Sequence, residues 1–195
     1  YPDLEPRIVE NQTEELLQQL RDGQIDVAVL ATPTGATGVS EIPLYDEAFA
    51  VITTPDHPLA GRGDLDLNAL KDLELLLLDD GHCLRDQIVE LCKIAEVNRT
   101  PGAQSVTRAA SLTTVVQLVV AGLGSTLVPV SALATECARP GLAIAAFGPG
   151  VDAKRTVGLA MRASSRRRPE FEQLGELVSR AFEHATESSR TLLPR

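Results

Sequence analysis

The hydrophobic pattern is clearest at Leu75–Leu78, four consecutive leucines. A short apolar run closed by Asp79, Asp80 and Gly81 predicts a strand buried on both faces, then a loop. After the loop the period changes. Leu84, Ile88, Leu91 and Cys92 recur at helical spacing, so a helix opens at Cys83. Upstream, Tyr1–Glu10 reads as a strand. Asn11 or Thr13 caps a helix, Glu14 completing a capping box. Leu16, Leu17 and Leu20 form its apolar stripe, Gly23 ends it, and Ile25–Leu30 is the next strand. In a parallel sheet this strand–helix–strand unit is right-handed. Thr32–Ser40 is a turn-rich loop. Ile42, Leu44 and Ala48–Ile52 supply strands, and Leu65–Leu73 a short helix capped by Asp64.

Beyond the leucine run, Ser105–Val106 starts another strand. Leu112, Val115, Val116 and Val119 mark a helix over Ser111–Val120, stopped by Gly122 and Gly124. Strands follow at Ser125–Val130, Leu142–Phe147 and Lys154–Met161. Pro169 opens a last helix presenting Phe171, Leu174, Leu177, Val178 and Phe182 on one face. The polar tail from Thr186 is expected to fray. Strands alternating with helices indicate an α/β fold with mostly parallel sheets. The Gly122-Leu123-Gly124 triplet follows a helix instead of opening one, which argues against a dinucleotide site.

Composition narrows the function. The 195 residues carry a net charge of −9, a surface that does not hold a polyanion by counterion release. Arg162, Arg166, Arg167 and Arg168 form a local exception, read as a solvated loop before the last helix. No apolar run approaches the roughly 20 residues a membrane span needs, and no signal peptide is visible. The three cysteines, Cys83, Cys92 and Cys137, lack the number and spacing of a secreted disulfide framework. Structural zinc needs four ligands, and adjacent His82 and Cys83 share one ion awkwardly. Neither metal nor cofactor is expected.

Cys83 and Cys92 change the picture most. A cysteine at a strand-to-helix turn sits at the positive end of the helix dipole, which favours the nucleophilic thiolate. His82 and Arg85 push the same way. Cys92 follows nine residues later. On one helix, nine steps make half a revolution and a rise of roughly 13.5 Å. A disulfide requires Cα atoms within about 7 Å. The pair can bond only if the helix between them unwinds, which suits a redox switch better than a structural staple. Taken alone, Cys83 is equally readable as a buried structural thiol, and Cys92 as a core residue.

The string GHCLRDQ, followed by a second cysteine nine residues after the first, resembles the peroxide-sensing LysR-type transcription regulators. ENQTEELLQQLRDGQIDVAVL is similar to the first lobe of LysR-type effector domains, and SLTTVVQLVVAGLGSTLVP to the second. Pro43-Leu44 and His57–Ala60 match the places where such domains pass between lobes. The resemblance implies two Rossmann-like lobes of periplasmic-binding-protein type joined by two crossover segments. The first lobe would comprise residues 1–47 and 154–195, and the second residues 48–153, with ligands in the cleft between them. The family has a further strand and helix, and a helix-turn-helix domain, ahead of the point matching Tyr1. The chain therefore reads as a fragment with an incomplete first lobe.

The resemblance also implies the chemistry. The Cys83 thiolate attacks hydrogen peroxide, becomes a sulfenic acid and condenses with Cys92 as the resolving thiol. Thr13, His82 and Arg155 line the peroxide pocket, while Arg85 and Asp86 support the helix start. Plainer readings stand beside these: Thr13 as an N-cap, His82 as a loop residue, Arg85–Asp86 as a surface salt bridge. Cys137 matches no family cysteine. The expected protein is a cytoplasmic stoichiometric sensor, not an enzyme. It would be a homodimer through helices near Thr13–Leu20 or Ser111–Val120, tetrameric at full length, touching DNA only through the absent domain. The rivals are a thiol peroxidase and a LysR-type domain sensing a small organic anion.

Overall fold

The computed structural model describes residues 5–97 and 108–194. Residues 5–12 run along the surface without secondary structure, with Ile8 88% exposed. The strand expected over Tyr1–Glu10 is therefore not formed across its described part. Helix α1 spans Thr13–Arg21, and its N-cap is Gln12, with no side-chain cap. Neither Asn11 nor Thr13 takes that role. Leu17 and Leu20 face inward, Gly23 follows the helix in the left-handed region (φ +73°), and strand β1 is Val27–Thr32.

Strand β2, Val39–Thr53, is the spine of the molecule. Residues 39–48 ladder against β7, Lys154–Arg162, and residues 49–53 against β5, Thr126–Pro129, and β6, Ala143–Ala146. All these ladders are antiparallel, as is β1 with β7. The mostly parallel sheet expected from alternation is thus corrected. Parallel pairing survives between β3 (Leu77–Leu78) and β4 (Arg108–Ala109), and at the bridges Leu65↔Phe147 and Leu75↔Ser125. Alternation of strands and helices reports burial period; it does not encode the direction in which a long strand returns. The strand expected at Ser105–Val106 lies outside the described residues.

A 3-10 turn at Leu67–Asp72 is capped by Asp66, which accepts from the Ala69 N–H; Asp64 instead pairs with Arg62. Helix α2 is Cys83–Ile94 and α3 is Leu112–Val120, the latter capped by Ser111. These helices, Leu75–Leu78 and Phe49–Ile52 close one large core. Smaller clusters join Leu17, Leu20, Ala28, Leu30 and Ala160, and Leu159, Met161 and Phe171. Cys137 is buried at the end of a π-turn, Leu133–Cys137.

Helix α4, Arg168–Arg190, departs from expectation at both face and end. Leu177 is exposed, and the buried positions are Phe171, Gly175, Thr186 and Ser189. Gly175 allows close approach to β2: a Cβ there would lie 2.7 Å from the Leu44 side chain. Phe182 stacks on Tyr45 at 3.7 Å between ring centroids. The end expected to fray is docked. Ser189 Oγ donates to the Ser131 carbonyl (3.2 Å) and accepts from the Ala134 N–H (3.1 Å). Polar residues looked like tail, but here they satisfy buried backbone groups. Ser189→Ala should cost about 1–3 kcal/mol by orphaning those partners, measurable as a lower urea midpoint.

The basic cluster is less free than its composition suggested. Arg162 Nη1 donates to the Leu20 and Ile25 carbonyls at 2.8 and 2.7 Å, tying down the end of α1. Arg167 pairs with Asp26 and Glu170, and Arg168 with Glu172.

Candidate redox site

The site is built where the chain leaves the buried leucines. The Asp79 N–H still donates to the Ala109 carbonyl (3.1 Å); Gly81 then turns the backbone at φ +91°, a conformation costly for side-chain-bearing residues. A Cβ at Gly81 would also lie 2.5 Å from the Gln12 amide oxygen. His82 is the N-cap of α2 without a side-chain cap, and its carbonyl accepts from the Arg85 N–H (3.0 Å). Cys83 is the first helical residue and partly exposed; Leu84, Ile88, Leu91 and Cys92 face the core. All three cysteines are free.

One unbroken helix carries both Cys83 and Cys92, so their Cα atoms are separated by roughly 13.5 Å along its axis. Burial pushes the Cys92 thiol up to about 11, and burial with Glu136 nearby does the same to Cys137. At pH 8 roughly one in a thousand of either is thiolate. Limiting iodoacetamide at that pH should label Cys83 first, with peptide mapping as the readout. The same shifts predict an alkaline loss of stability. Both thiols hold their protons more tightly folded than unfolded, so their contribution is intact below about 9. It is lost as pH rises toward about 11, since the unfolded chain then binds fewer protons. Urea midpoints across that window should fall, and fall less in Cys137→Ala.

Two other elements reach this helix start, α1 and β7. At the head of α1, Gln12 Nε2 donates to the Asp80 carbonyl (3.4 Å), which brings the residue beside Thr13 against the redox turn. Arg85 pairs with Asp80 at 2.8 Å and Asp86 at 3.2 Å; these half-exposed pairs contribute about 0–1 kcal/mol. From β7, Arg155 Nη1 reaches Gln87 Oε1 at 3.5 Å, one turn beyond Cys83. Among the described residues, no hydrogen bond or ion pair directly joins any two of Thr13, His82, Cys83 and Arg155. Gln12 links the head of α1 to the loop before Cys83, and Gln87 links α2 to Arg155 of β7.

Glu47 was not foreseen. It is 3% exposed and bound by Arg155 Nε at 2.7 Å and Nη2 at 2.6 Å, with Ser131 Oγ donating to its other oxygen. Its burial and the two arginine bonds depend on the β2–β7 register, which the local pattern does not contain. Gln87 could have been found, because it lies four residues after Cys83 and thus on the same face.

Residues 1–183 match the family described as the LysR substrate binding domain. The chain belongs to this family. Among LysR-type relatives, it is 46% identical over 185 residues to a "Probable hydrogen peroxide-inducible genes activator" of Mycobacterium avium, covering 91% of this chain and 57% of that protein. It is 38% identical to the "DNA-binding transcriptional dual regulator OxyR" of Escherichia coli K12, with the same coverage. The chain thus spans somewhat more than half the length of these relatives. Among solved LysR-type structures, the H2O2-bound form of a cysteine variant of Corynebacterium glutamicum OxyR superposes with a TM-score of 0.95. It is 60% identical, with 98% of this chain and 59% of that one covered. The oxidised form of the same protein gives 0.83. The resemblance in GHCLRDQ and the periplasmic-binding-protein type of fold are borne out. No helix among the described residues is long and apolar enough to cross a membrane.

Proposed function

We propose that this chain is the hydrogen-peroxide-sensing regulatory domain of a LysR-type transcription regulator. The observation that carries the reading is the pair on α2: a partly exposed thiol at the helix start and a buried one nine residues on, unbonded. The Cys83 thiolate attacks one peroxide oxygen; the O–O bond breaks, giving Cys83 sulfenic acid and hydroxide. Cys92 sulfur then attacks the sulfenic sulfur, the S–O bond breaks, and water leaves. The balance is two thiols and one peroxide to one disulfide and two waters. The second step requires α2 to unwind, which withdraws Leu84 and Ile88 from the core at about 1.5–3 kcal/mol each. That repacking is the signal.

The chain divides between residues 1–47 with 154–195 and residues 48–153, a division supported by the separate clusters on either side of β2 residue 48. It acts in the cytoplasm as a homodimer, and the regulator meets DNA through its helix-turn-helix domain. The outward face of α1 is polar, whereas Val120 and Leu123 stand exposed at the end of α3, so the α3 end is the better dimer surface. Light scattering should give a dimer that Leu123→Glu weakens; a monomer in both redox states contradicts that assignment. For the chemistry, dimedone should trap Cys83 in a Cys92→Ser variant, and the native chain should consume one peroxide per reduction. Multiple turnover with thioredoxin would instead identify a peroxidase.

A further inference from the structure

Glu47 is a carboxylate almost fully withdrawn from water, a placement that is costly unless its lone pairs are met. They are met from two sides. Arg155, directly opposite on β7, gives Nε and Nη2 to one oxygen, and Ser131 Oγ donates to the other. This fork uses one edge of the guanidinium and leaves Nη1 toward α2, where it reaches Gln87 Oε1. Gln87 shares a helix face with Cys83. The carboxylate, the arginine and the redox helix thus form one line across β2, β7 and α2.

We propose that Glu47 is a positioning residue for the reaction at Cys83: it locks the Arg155 side chain so that its remaining N–H groups are presented to the redox helix. This rests on Cys83 being the peroxide-reactive thiol and deepens that reading. An unrestrained arginine samples many rotamers, and the fork to Glu47 selects one. A donor held in advance costs no reorganisation as charge builds on the departing oxygen. Displacing such a donor by about 1 Å can slow a reaction on the order of 100-fold. Ser131 fixes the carboxylate from behind, and its own carbonyl is held by Ser189 of α4.

The test is the second-order rate of Cys83 oxidation by hydrogen peroxide in fully reduced protein, at a temperature where melting curves show every variant folded. Glu47→Gln keeps the shape and one acceptor but removes the charge; it should slow oxidation by about tenfold or more. Glu47→Asp should recover part of the rate. Arg155→Lys, which keeps a charge but loses the fork, should also be slow, and the double variant Glu47→Gln/Arg155→Lys should be no slower than Arg155→Lys alone. A residue that only holds the fold together would lower the melting temperature and leave the rate of the folded protein unchanged. If Arg155→Lys is slow and Glu47→Gln is not, the positioning role is overturned while the peroxide reading stands. If Cys83 in the native chain does not react with peroxide, the reading beneath it fails. Should Glu47→Gln not fold, Ser131→Ala serves instead: a slowed reaction supports the proposal, and the native rate overturns it.

Discussion

Cys83→Ser should abolish the peroxide response while leaving the fold standing. Cys83 is partly exposed and contributes little to the core, so replacing its sulfur by oxygen should shift stability by less than about 1 kcal/mol. The chemical effect is of another size. A serine hydroxyl is a weak nucleophile without an adjacent base, and oxidation should fall to background, a loss of more than about a thousandfold. The other cysteines should behave differently. Cys92→Ser leaves the first step intact but strands Cys83 as sulfenic acid, open to irreversible over-oxidation. Cys137→Ser places a hydroxyl in a buried apolar position and should cost about 1–3 kcal/mol without altering the reaction. Stopped-flow peroxide kinetics beside melting curves separates the three patterns.

Arg155→Ala should damage both stability and rate. Its buried partner Glu47 sets the cost in stability. Removing one member of such a pair leaves an uncompensated charge and costs about 3–5 kcal/mol, a large share of the 5–15 kcal/mol typical of a folded domain. At about 2–4 °C per kcal/mol for a chain this long, the melting temperature should drop by roughly 6–20 °C. The rate of Cys83 oxidation, measured well below that melting point, should fall about 100-fold. Adding Glu47→Gln should recover much of the stability by removing the stranded charge, yet recover none of the rate. A double variant that regains both would show that Arg155 affects the reaction only through folding.

What could be read from the sequence follows from which interactions are local. The leucine run, the turn at Gly81 and the helix over Leu84–Cys92 are set by neighbours within a few residues; the turn and helix stand as expected, and the run is buried throughout, though its strand is only Leu77–Leu78 with a bridge at Leu75. Helix α3 is legible for the same reason, with Ser111 as its cap instead of its first residue. The direction of the long strands was not legible, because period-2 patterning is blind to whether β7 returns parallel or antiparallel to β2. Nor was the docking of Ser189, whose partners Ala134 and Ser131 lie more than fifty residues away in sequence. The Glu47–Arg155 pair spans 108 residues; only the register of two distant strands makes an ordinary acid-base pair of surface-type residues into a buried fork. Caps shifted by one or two residues, to Gln12 and Asp66, because several polar residues compete for each helix start.

The disulfide between Cys83 and Cys92 is one that the intact helix α2 forbids. Reduced chain treated with one equivalent of hydrogen peroxide, alkylated and digested without reductant, should yield one new species by mass spectrometry. That species is the peptide containing Cys83 joined to the peptide containing Cys92, with Cys137 recovered alkylated. A disulfide that includes Cys137, or peroxide consumed with Cys83 and Cys92 both recovered as free thiols, would contradict this pairing.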